Sequence, residues 1–299
     1  MNKGILAAIG AYVLWGLFPI YWRLLEEVPA IEILANRMVW SLVFVAILLT
    51  FQKDWQWLRE VSRKRKTVLT YTLAAILLSI NWFIYIWAVN AGYVVEASLG
   101  YFINPLVNFL LGVIFLGEKL RQGQVIAVIL AGLGVVYLTV SYGSLPWISL
   151  LLAFTFGMYG LIKKTAPLES MHGFSLETMV MFLPALFFLS YRGAIGQGAF
   201  IQLGTAVTLL LIFAGPVTSI PLLLFGYSAR RIPLSMLGFI QYIAPTLQFM
   251  LGVFVYHEPF PAARLVGFSI IWLALLVYSL ESIYFSRKVK SEPTLVEPL

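Results

Sequence analysis

The chain contains no cysteine among its 299 residues, which excludes disulfide bonds, thiolate metal ligands and cysteine nucleophiles. Histidine is nearly as rare, because only His172 and His257 occur, and their spacing is unlike that of zinc ligands. The sequence also lacks an H-E-x-x-H motif and a P-loop. We therefore expect no metal and no cofactor, and the sequence argues against an enzyme.

Charged residues are scarce as well, at 11% of the chain, whereas soluble domains carry about 25%. Hydrophobic residues make up 61%, and the mean hydropathy is +0.92. Apolar runs recur at the length of about 20 residues that crosses a bilayer as a helix. The composition predicts an all-α integral membrane protein whose principal partner is the lipid bilayer.

Hydropathy and helix-breaking residues predict ten transmembrane helices. Their predicted ranges are 4–25, 33–51, 68–90, 96–117, 123–142, 146–162, 173–191, 205–227, 233–256 and 263–284. The first apolar run resembles a signal peptide, but it continues to about Leu25, so we interpret it as an uncleaved first span.

The basic residues predict the orientation of these spans. If both termini lie on one side, that side holds 16 of the 20 Lys and Arg residues, and only Arg23, Arg37, Arg192 and Arg264 remain elsewhere. Because cytoplasmic connectors are enriched in Lys and Arg, both termini are predicted to be cytoplasmic. The net charge of +7 has the same origin, so we expect no nucleic-acid partner.

One segment of the sequence occurs twice. The stretch Pro105–Glu118 recurs as Pro245–Glu258, with Leu111-Gly112-Val113 matching Leu251-Gly252-Val253 at an offset of 140. Each half holds five spans, an odd number, so the second half is predicted to be inverted in the membrane. Inverted repeats with Pro-broken helices are a recurrent plan of secondary transporters.

The repeat divides the chain into three parts. Residues 1–142 form the first predicted repeat with spans one to five, and residues 143–285 form the second with spans six to ten. Residues 286–299 are predicted to be a short, disordered cytoplasmic tail, because they hold two prolines and several charges. The sequence is compatible with a monomer and gives no sign of another oligomeric state.

Polar and aromatic side chains share faces of the predicted spans. Tyr101, Asn104 and Asn108 follow i, i+3, i+7 spacing on span four, and Gln241 and Gln248 follow it on span nine. Two interpretations stay open: a substrate pocket, or interhelical hydrogen bonds that only hold the bundle together. The candidate substrate-binding residues are Trp15, Asn81, Trp82, Tyr85, Tyr101, Asn104, Asn108, Gln241, Tyr242 and Gln248.

Prolines interrupt several of the same spans. A proline lacks the N–H that would bond the carbonyl four residues earlier, so another group must satisfy that carbonyl within the membrane. Each proline predicts either a hinge beside a cavity or a static kink. The hinge candidates are Pro19, Pro105, Pro216, Pro221 and Pro245.

All 13 acidic residues lie near span ends, in connectors or in the tail, which argues against a proton relay in mid-membrane. Glu118 and Glu258 close the two repeated segments, on opposite faces of the membrane. They are gate or coupling candidates, with Arg121 and Arg264 as expected cationic neighbours; the alternative is solvated end charges. Arg37 is a third candidate, for which snorkelling or a structural ion pair is the alternative.

The sequence resembles the RarD branch of the EamA family, within the drug/metabolite transporter superfamily. The segments that carry this resemblance are Ala35–Arg37, Ile80–Trp82 with Tyr85 and Trp87, Ser98–Leu106, Gly117-Glu118 and Gly238–Pro245. The resemblance implies a ten-helix transporter of the bacterial inner membrane, with two EamA repeats around a central cavity. Relatives export or exchange small metabolites, amino acids among them. The RarD name is linked to chloramphenicol sensitivity, which does not make chloramphenicol a substrate.

The leading hypothesis is a secondary transporter that moves a small polar or zwitterionic metabolite, such as an amino acid, or a drug, by alternating access. Three alternatives share parts of the pattern. A lipid-acting enzyme would need converging His or acidic residues, which the sequence lacks. A receptor or assembly protein would usually carry a further domain, and a passive channel would lack saturable counterflow.

Overall fold

The computed structural model describes residues 2–90, 94–142, 147–200, 202–255 and 262–291, and all regular structure in these ranges is helical. The helices are α1 Lys3–Arg23, α2 Ala30–Gln52, α3 Gln56–Ser62, α4 Arg65–Asn90, α5 Val94–Leu116, α6 Gln122–Tyr142, α7 Trp147–Thr165, α8 Ser170–Ala194, α9 Thr205–Ala229, α10 Leu234–Gln241, α11 Ile243–Met250 and α12 Ala262–Ser291. The predicted all-α class is confirmed.

Seven of these helices contain a stretch long and apolar enough to cross a membrane. They are α1, α2, α4, α5, α6, α8 and α9. Large apolar side chains such as Ile114 and Phe187 point outwards, where hydrocarbon would surround them. The chain is therefore a multi-pass membrane protein.

The helix ends follow local chemistry. The Asn2 side chain accepts a hydrogen bond of 2.8 Å from the Gly4 amide and begins α1. Pro29 and Pro233 stand immediately before α2 and α10, where a missing N–H costs nothing. Lys53 takes a left-handed conformation, with φ of 54°, and ends α2.

Two elements differ from the sequence prediction. The basic connector after α2 contains the short helix α3, whose Trp57 and Val61 are buried against the bundle. The Trp57 ring stacks on His172 at 4.7 Å, and His172 lies 2.6 Å from Asp54. Helix α12 runs to Ser291, six residues into the predicted tail, of which residues 292–299 lie outside the described ranges.

Only one of the predicted hinge prolines coincides with a break between helices. Helix α10 ends at Gln241, α11 begins at Ile243, and Pro245 follows within α11. A π-helical turn, Leu251–Val255, continues the segment. The helices α1, α5 and α9 pass through Pro19, Pro105, Pro216 and Pro221 without interruption.

Close helix packing depends on glycine. A Cβ placed on Gly215 of α9 would overlap the backbone carbonyl of Trp40 on α2. A Cβ on Gly16 of α1 would lie 2.7 Å from the Leu247 Cβ on α11. These glycines bring the helix axes close enough for polar side chains to bridge them.

Candidate substrate cavity

A network of buried amides joins α5 to α10 and α7. The Asn108 Nδ2 atom donates to Gln241 Oε1 at 3.0 Å and to Asn104 Oδ1 at 3.2 Å. Asn104 Nδ2 in turn donates to the Ala153 carbonyl at 2.7 Å, and the Tyr12 hydroxyl approaches Gln241 Oε1 at 3.4 Å. Asn108 Oδ1 is buried and has no hydrogen-bond partner, which costs about 1–3 kcal/mol.

The other candidate amides also bridge helices. Asn81 on α4 donates to the Leu152 carbonyl at 2.8 Å and to Thr155 Oγ1 at 2.9 Å on α7. Gln248 Nε2 on α11 donates at 3.1 Å to the Trp15 carbonyl, which lacks its helical donor because Pro19 lies four residues later. Among the described residues these amides meet protein partners, as the interhelical-bond interpretation expects.

Tyr242 and Trp15 occupy packed positions. The Tyr242 hydroxyl donates to the Phe102 carbonyl at 3.2 Å, and its ring is buried. Trp15 packs against Tyr12 at 5.3 Å and Phe225 at 5.7 Å between ring centroids. Both residues contribute to the contact between helices of the two halves of the chain.

Trp82, Tyr85 and Tyr101 lie around Arg37. The Arg37 guanidinium carbon is 4.3 Å from the Trp82 ring centroid and 4.7 Å from that of Trp22, which is cation–π distance. The Tyr85 and Tyr101 rings meet edge to face at 5.8 Å. Both tyrosines are near enough to interact electrostatically with Arg37.

Tyr85 and Tyr101 are partly accessible, with 37% of the surface of each exposed. The Arg37 cation thus lies beside accessible aromatic rings, a combination of groups that suits small organic ligands.

Among the residues whose side chains the structure describes, Arg37 has no acidic partner. Its Nε donates to Thr218 Oγ1 on α9 at 2.8 Å. Two buried carboxylates of the described residues form ion pairs with other cations. Glu32 pairs with Arg192, and Glu177 pairs with Lys163. The structural ion pair offered as an alternative for Arg37 is therefore not found in this part of the chain.

Glu118 has a partner that the sequence does not suggest. Its carboxylate accepts hydrogen bonds from the Leu234 amide at 2.5 Å, the Ser235 amide at 3.0 Å and the Ser235 hydroxyl at 2.6 Å. It therefore caps the N-terminus of α10, where the helix dipole favours a negative charge.

The expected partnership of Glu118 with Arg121 is wrong. Arg121 pairs with Glu281 on α12 at 2.6 Å, and this hydrogen bond raises the pKa of Arg121 above its ordinary value. Glu258 lies outside the described residues, as does the side chain of Arg264.

Sequence reasoning missed a buried ion pair. Lys163 Nζ and Glu177 Oε1 are 2.8 Å apart, with 3% and 2% of the side chains exposed, and the Tyr159 hydroxyl donates to Glu177 Oε2 at 3.1 Å. Glu177 lies two turns inside α8, deeper than the span ends to which the acids were assigned. The sequence shows Glu177 in the seventh predicted span and Lys163 directly after the sixth. Their contact depends on the tertiary structure, so no local pattern predicts it.

Glu32 on α2 is also buried. Its two oxygens accept hydrogen bonds from Arg192 Nε at 2.9 Å and from the Ala199 amide at 2.7 Å. The two halves thus each hold one buried, fully partnered carboxylate near the start of a long helix.

The structure so far defines a helical multi-pass membrane protein in which aromatic rings surround the Arg37 guanidinium. The profile of the EamA-like transporter family matches residues 2–140. The uncharacterized transporter YojE of Bacillus subtilis is 48% identical over 97% of this chain and 98% of its own. The protein RarD of Streptomyces exfoliatus is 47% identical over 97% of this chain and 92% of its own. The chain therefore belongs to the EamA family, in the RarD branch of the drug/metabolite transporter superfamily, and the resemblance seen in the sequence is confirmed.

A solved structure shows the same fold. A crystal structure of a protein that is 18% identical superposes with a TM-score of 0.68, covering 96% of this chain and 99% of the other. Together with the family, this makes the chain a membrane transporter of the drug/metabolite type.

Proposed function

We propose that the protein is a secondary transporter of the bacterial inner membrane that moves a small polar or zwitterionic metabolite by alternating access. The observation that carries the proposal is the grouping of the partly accessible rings of Tyr85 and Tyr101 with Arg37, which would line a central cavity. A solute held there would be enclosed by helices from both halves, since Thr218 belongs to α9 and the others to α2, α4 and α5.

Ten spans in two inverted repeats, with both termini cytoplasmic, form the architecture of this proposal. In the proposed repeat, α7 of the second half corresponds to α1 of the first, and α9 corresponds to α4. Helix α1 contacts α9, and the corresponding pair, α7 and α4, is also in contact. Likewise, the contact of α5 with α7 corresponds to that of α11 with α1. The packing is thus reciprocal, as an internal two-fold axis requires.

Individual residues support the same correspondence. Gly16 of α1 packs on Leu247 of α11, and Gly157 of α7 packs on Val107 of α5; a Cβ added to either glycine would lie 2.7 Å from the neighbouring side chain. Residues 107 and 247 differ by the repeat offset of 140, and residues 16 and 157 by 141. Each half places a glycine against a side chain of the other.

The candidate residues divide into two roles under this proposal. The exposed rings of Tyr85 and Tyr101 and the partly buried ring of Trp82 would contact the solute. The buried amides of Asn104, Asn108 and Gln241 would hold the crossing of α5 and α10, and exchange partners when the cavity opens to the other side. The unpaired Asn108 Oδ1 is available for such an exchange.

Counterflow in proteoliposomes tests the proposal. Purified protein would be reconstituted with unlabelled solute inside, and uptake of labelled amino acids, related aromatic compounds and chloramphenicol would be measured. We expect saturable counterflow for at least one compound, and its loss in the double variant Asn104→Leu/Gln241→Leu. Thr139→Val is the matched control, because the Thr139 hydroxyl bonds to its own helix at Val135.

Three results would count against the proposal. Flux no greater than in empty liposomes for every compound would remove transport, and flux without saturation would indicate a channel. Unchanged counterflow in the folded double variant would show that the amide crossing plays no part in it.

A further inference from the structure

Arg37 is a charged group within a membrane-spanning helix, and such a group is costly unless it has a partner or a function. Its contacts among the described residues are uncharged: Thr218 through Nε, and the rings of Trp22 and Trp82. The rings offset part of the charge through cation–π attraction, but they accept no hydrogen bonds in the plane of the guanidinium. The two Nη groups have no acceptor in the part of the chain that the structure describes.

We infer that Arg37 binds the carboxylate of the transported molecule, and this inference rests on the proposed transport function. With Nε bound to Thr218 and the rings close by, the Nη edge is the free side of the guanidinium. Two N–H groups on that edge match the two oxygens of a carboxylate in a bidentate pair. Arg37 thus supplies the polar end of the site and Tyr85 and Tyr101 the remainder.

The charge of the site selects the class of anion. Arg37 is one cation, and two further cations, the buried Lys163 and the partly exposed Arg192, are neutralised by Glu177 and Glu32. In a region of low dielectric, a single positive charge balances one negative charge and leaves a phosphate dianion half unpaired. A singly charged carboxylate fits, whereas a phosphate does not.

The rest of the ligand faces aromatic rings. Tyr85 and Tyr101 each keep 37% of their surface accessible, and their edge-to-face contact leaves part of each ring open. An apolar or aromatic group attached to the carboxylate would cover these rings. The preferred ligand is therefore a small monocarboxylate with an apolar or aromatic substituent.

Binding of phenylacetate to the purified full-length protein tests the inference without any transport. Trp22 and Trp82 flank Arg37, so tryptophan fluorescence reports occupancy of the site. The comparison probes are phenylacetamide, which has the same shape without the charge, and inorganic phosphate. We expect phenylacetate to bind saturably and about tenfold or more tightly than phenylacetamide.

The variants separate Arg37 from general effects of charge. Arg37→Gln should weaken phenylacetate binding about tenfold or more. Arg37→Lys should give an intermediate loss of affinity, because lysine keeps the positive charge but cannot form the bidentate pair. Arg121→Gln is the control, since Arg121 also lies over an aromatic ring but at the bundle rim, paired with Glu281. It should bind phenylacetate as the unmodified protein does.

Equal affinity for phenylacetate and phenylacetamide, unchanged binding in Arg37→Gln, tighter binding of phosphate, or no saturable signal would each overturn the inference. If Arg37→Gln fails to fold, Arg37→Lys and the two isosteric probes decide the question. If phenylacetate binds selectively and this binding depends on Arg37, but no counterflow is observed, then only the transport function is contradicted. If counterflow is saturable but does not depend on Arg37, then only the carboxylate site is contradicted.

Discussion

Lys163 and Glu177 form a buried ion pair in which each charge is compensated by the other. Each is almost fully buried, so neither charge has water to replace its partner. A buried pair adds little net stability compared with apolar residues, but the loss of one member leaves a charge without compensation. The Lys163–Glu177 ion pair joins α7 to α8, and each charge depends on the other for compensation.

Replacing Glu177 alone should be severe. We expect Glu177→Gln to lower the free energy of unfolding by about 3–5 kcal/mol, because Lys163 would stay buried without a counter-charge. The double variant Lys163→Met/Glu177→Gln should recover most of that loss. Denaturant unfolding of the purified protein in detergent, followed by circular dichroism, measures both.

The partly exposed pair of Arg121 and Glu281 is the control for this experiment. Its disruption in Arg121→Gln should cost about 1 kcal/mol or less, since water can replace the lost partner there. Similar losses from Glu177→Gln and Arg121→Gln would show that Lys163 finds solvent when its partner is removed.

At the scale of the element, α2 and α9 approach closely at Gly215. A Cβ there would meet the Trp40 main chain, which cannot move aside as a flexible side chain can. We expect Gly215→Ala to separate the two helices and to lower the unfolding midpoint in the same denaturant assay. Gly132→Ala on α6 is the matched control, because its Cβ meets nothing within 4 Å, and it should be neutral or stabilising by about 1 kcal/mol.

The cap on α10 gives a second prediction for an element. Removing the carboxylate in Glu118→Ala leaves the Leu234 and Ser235 amides unpaired, at a cost of about 1–2 kcal/mol. Amide hydrogen exchange should therefore quicken at the start of α10 and stay unchanged in α6. Lys119→Ala, next in sequence and exposed, should alter neither region, and equal acceleration in both variants would contradict the capping role.

Proline breaks show where sequence reasoning at this scale succeeds and where it stops. Every hinge proline frees one carbonyl, and that much follows from the sequence. Whether the helix breaks at the proline does not follow from the sequence. Near Pro19 the Trp15 carbonyl receives the Gln248 amide, and α1 continues. Near Pro245 the chain instead turns at Tyr242 between two short helices.

For the whole molecule, the sequence predicts more of the fold than of the site. Each predicted span overlaps a helix, because apolar runs of membrane length are a local property. The site depends on contacts between distant residues, such as Arg37 with Thr218 or Glu118 with Leu234. Local patterns contain no information about which polar side chains meet, so the grouping of Arg37 with the tyrosines emerges only from the tertiary structure.

The proposed orientation can be tested directly because the chain has no cysteine. Single replacements Ser62→Cys, in α3, and Ala194→Cys, at the end of α8, both lie at exposed positions. In intact cells a membrane-impermeant maleimide should label Cys only at position 194, and after lysis at both positions. Labelling of both, or of position 62 alone, in intact cells would contradict two cytoplasmic termini with inverted repeats.

The cap that Glu118 supplies to α10 also bears on biogenesis. Glu118 is synthesised more than a hundred residues before Leu234 and Ser235, whose amides it caps. The first half of the chain is therefore made while this carboxylate still lacks these hydrogen-bond donors. When Leu234 and Ser235 emerge, their bare N–H groups find that acceptor already in place. The order of synthesis thus lets the earlier half act as a template on which the later one assembles.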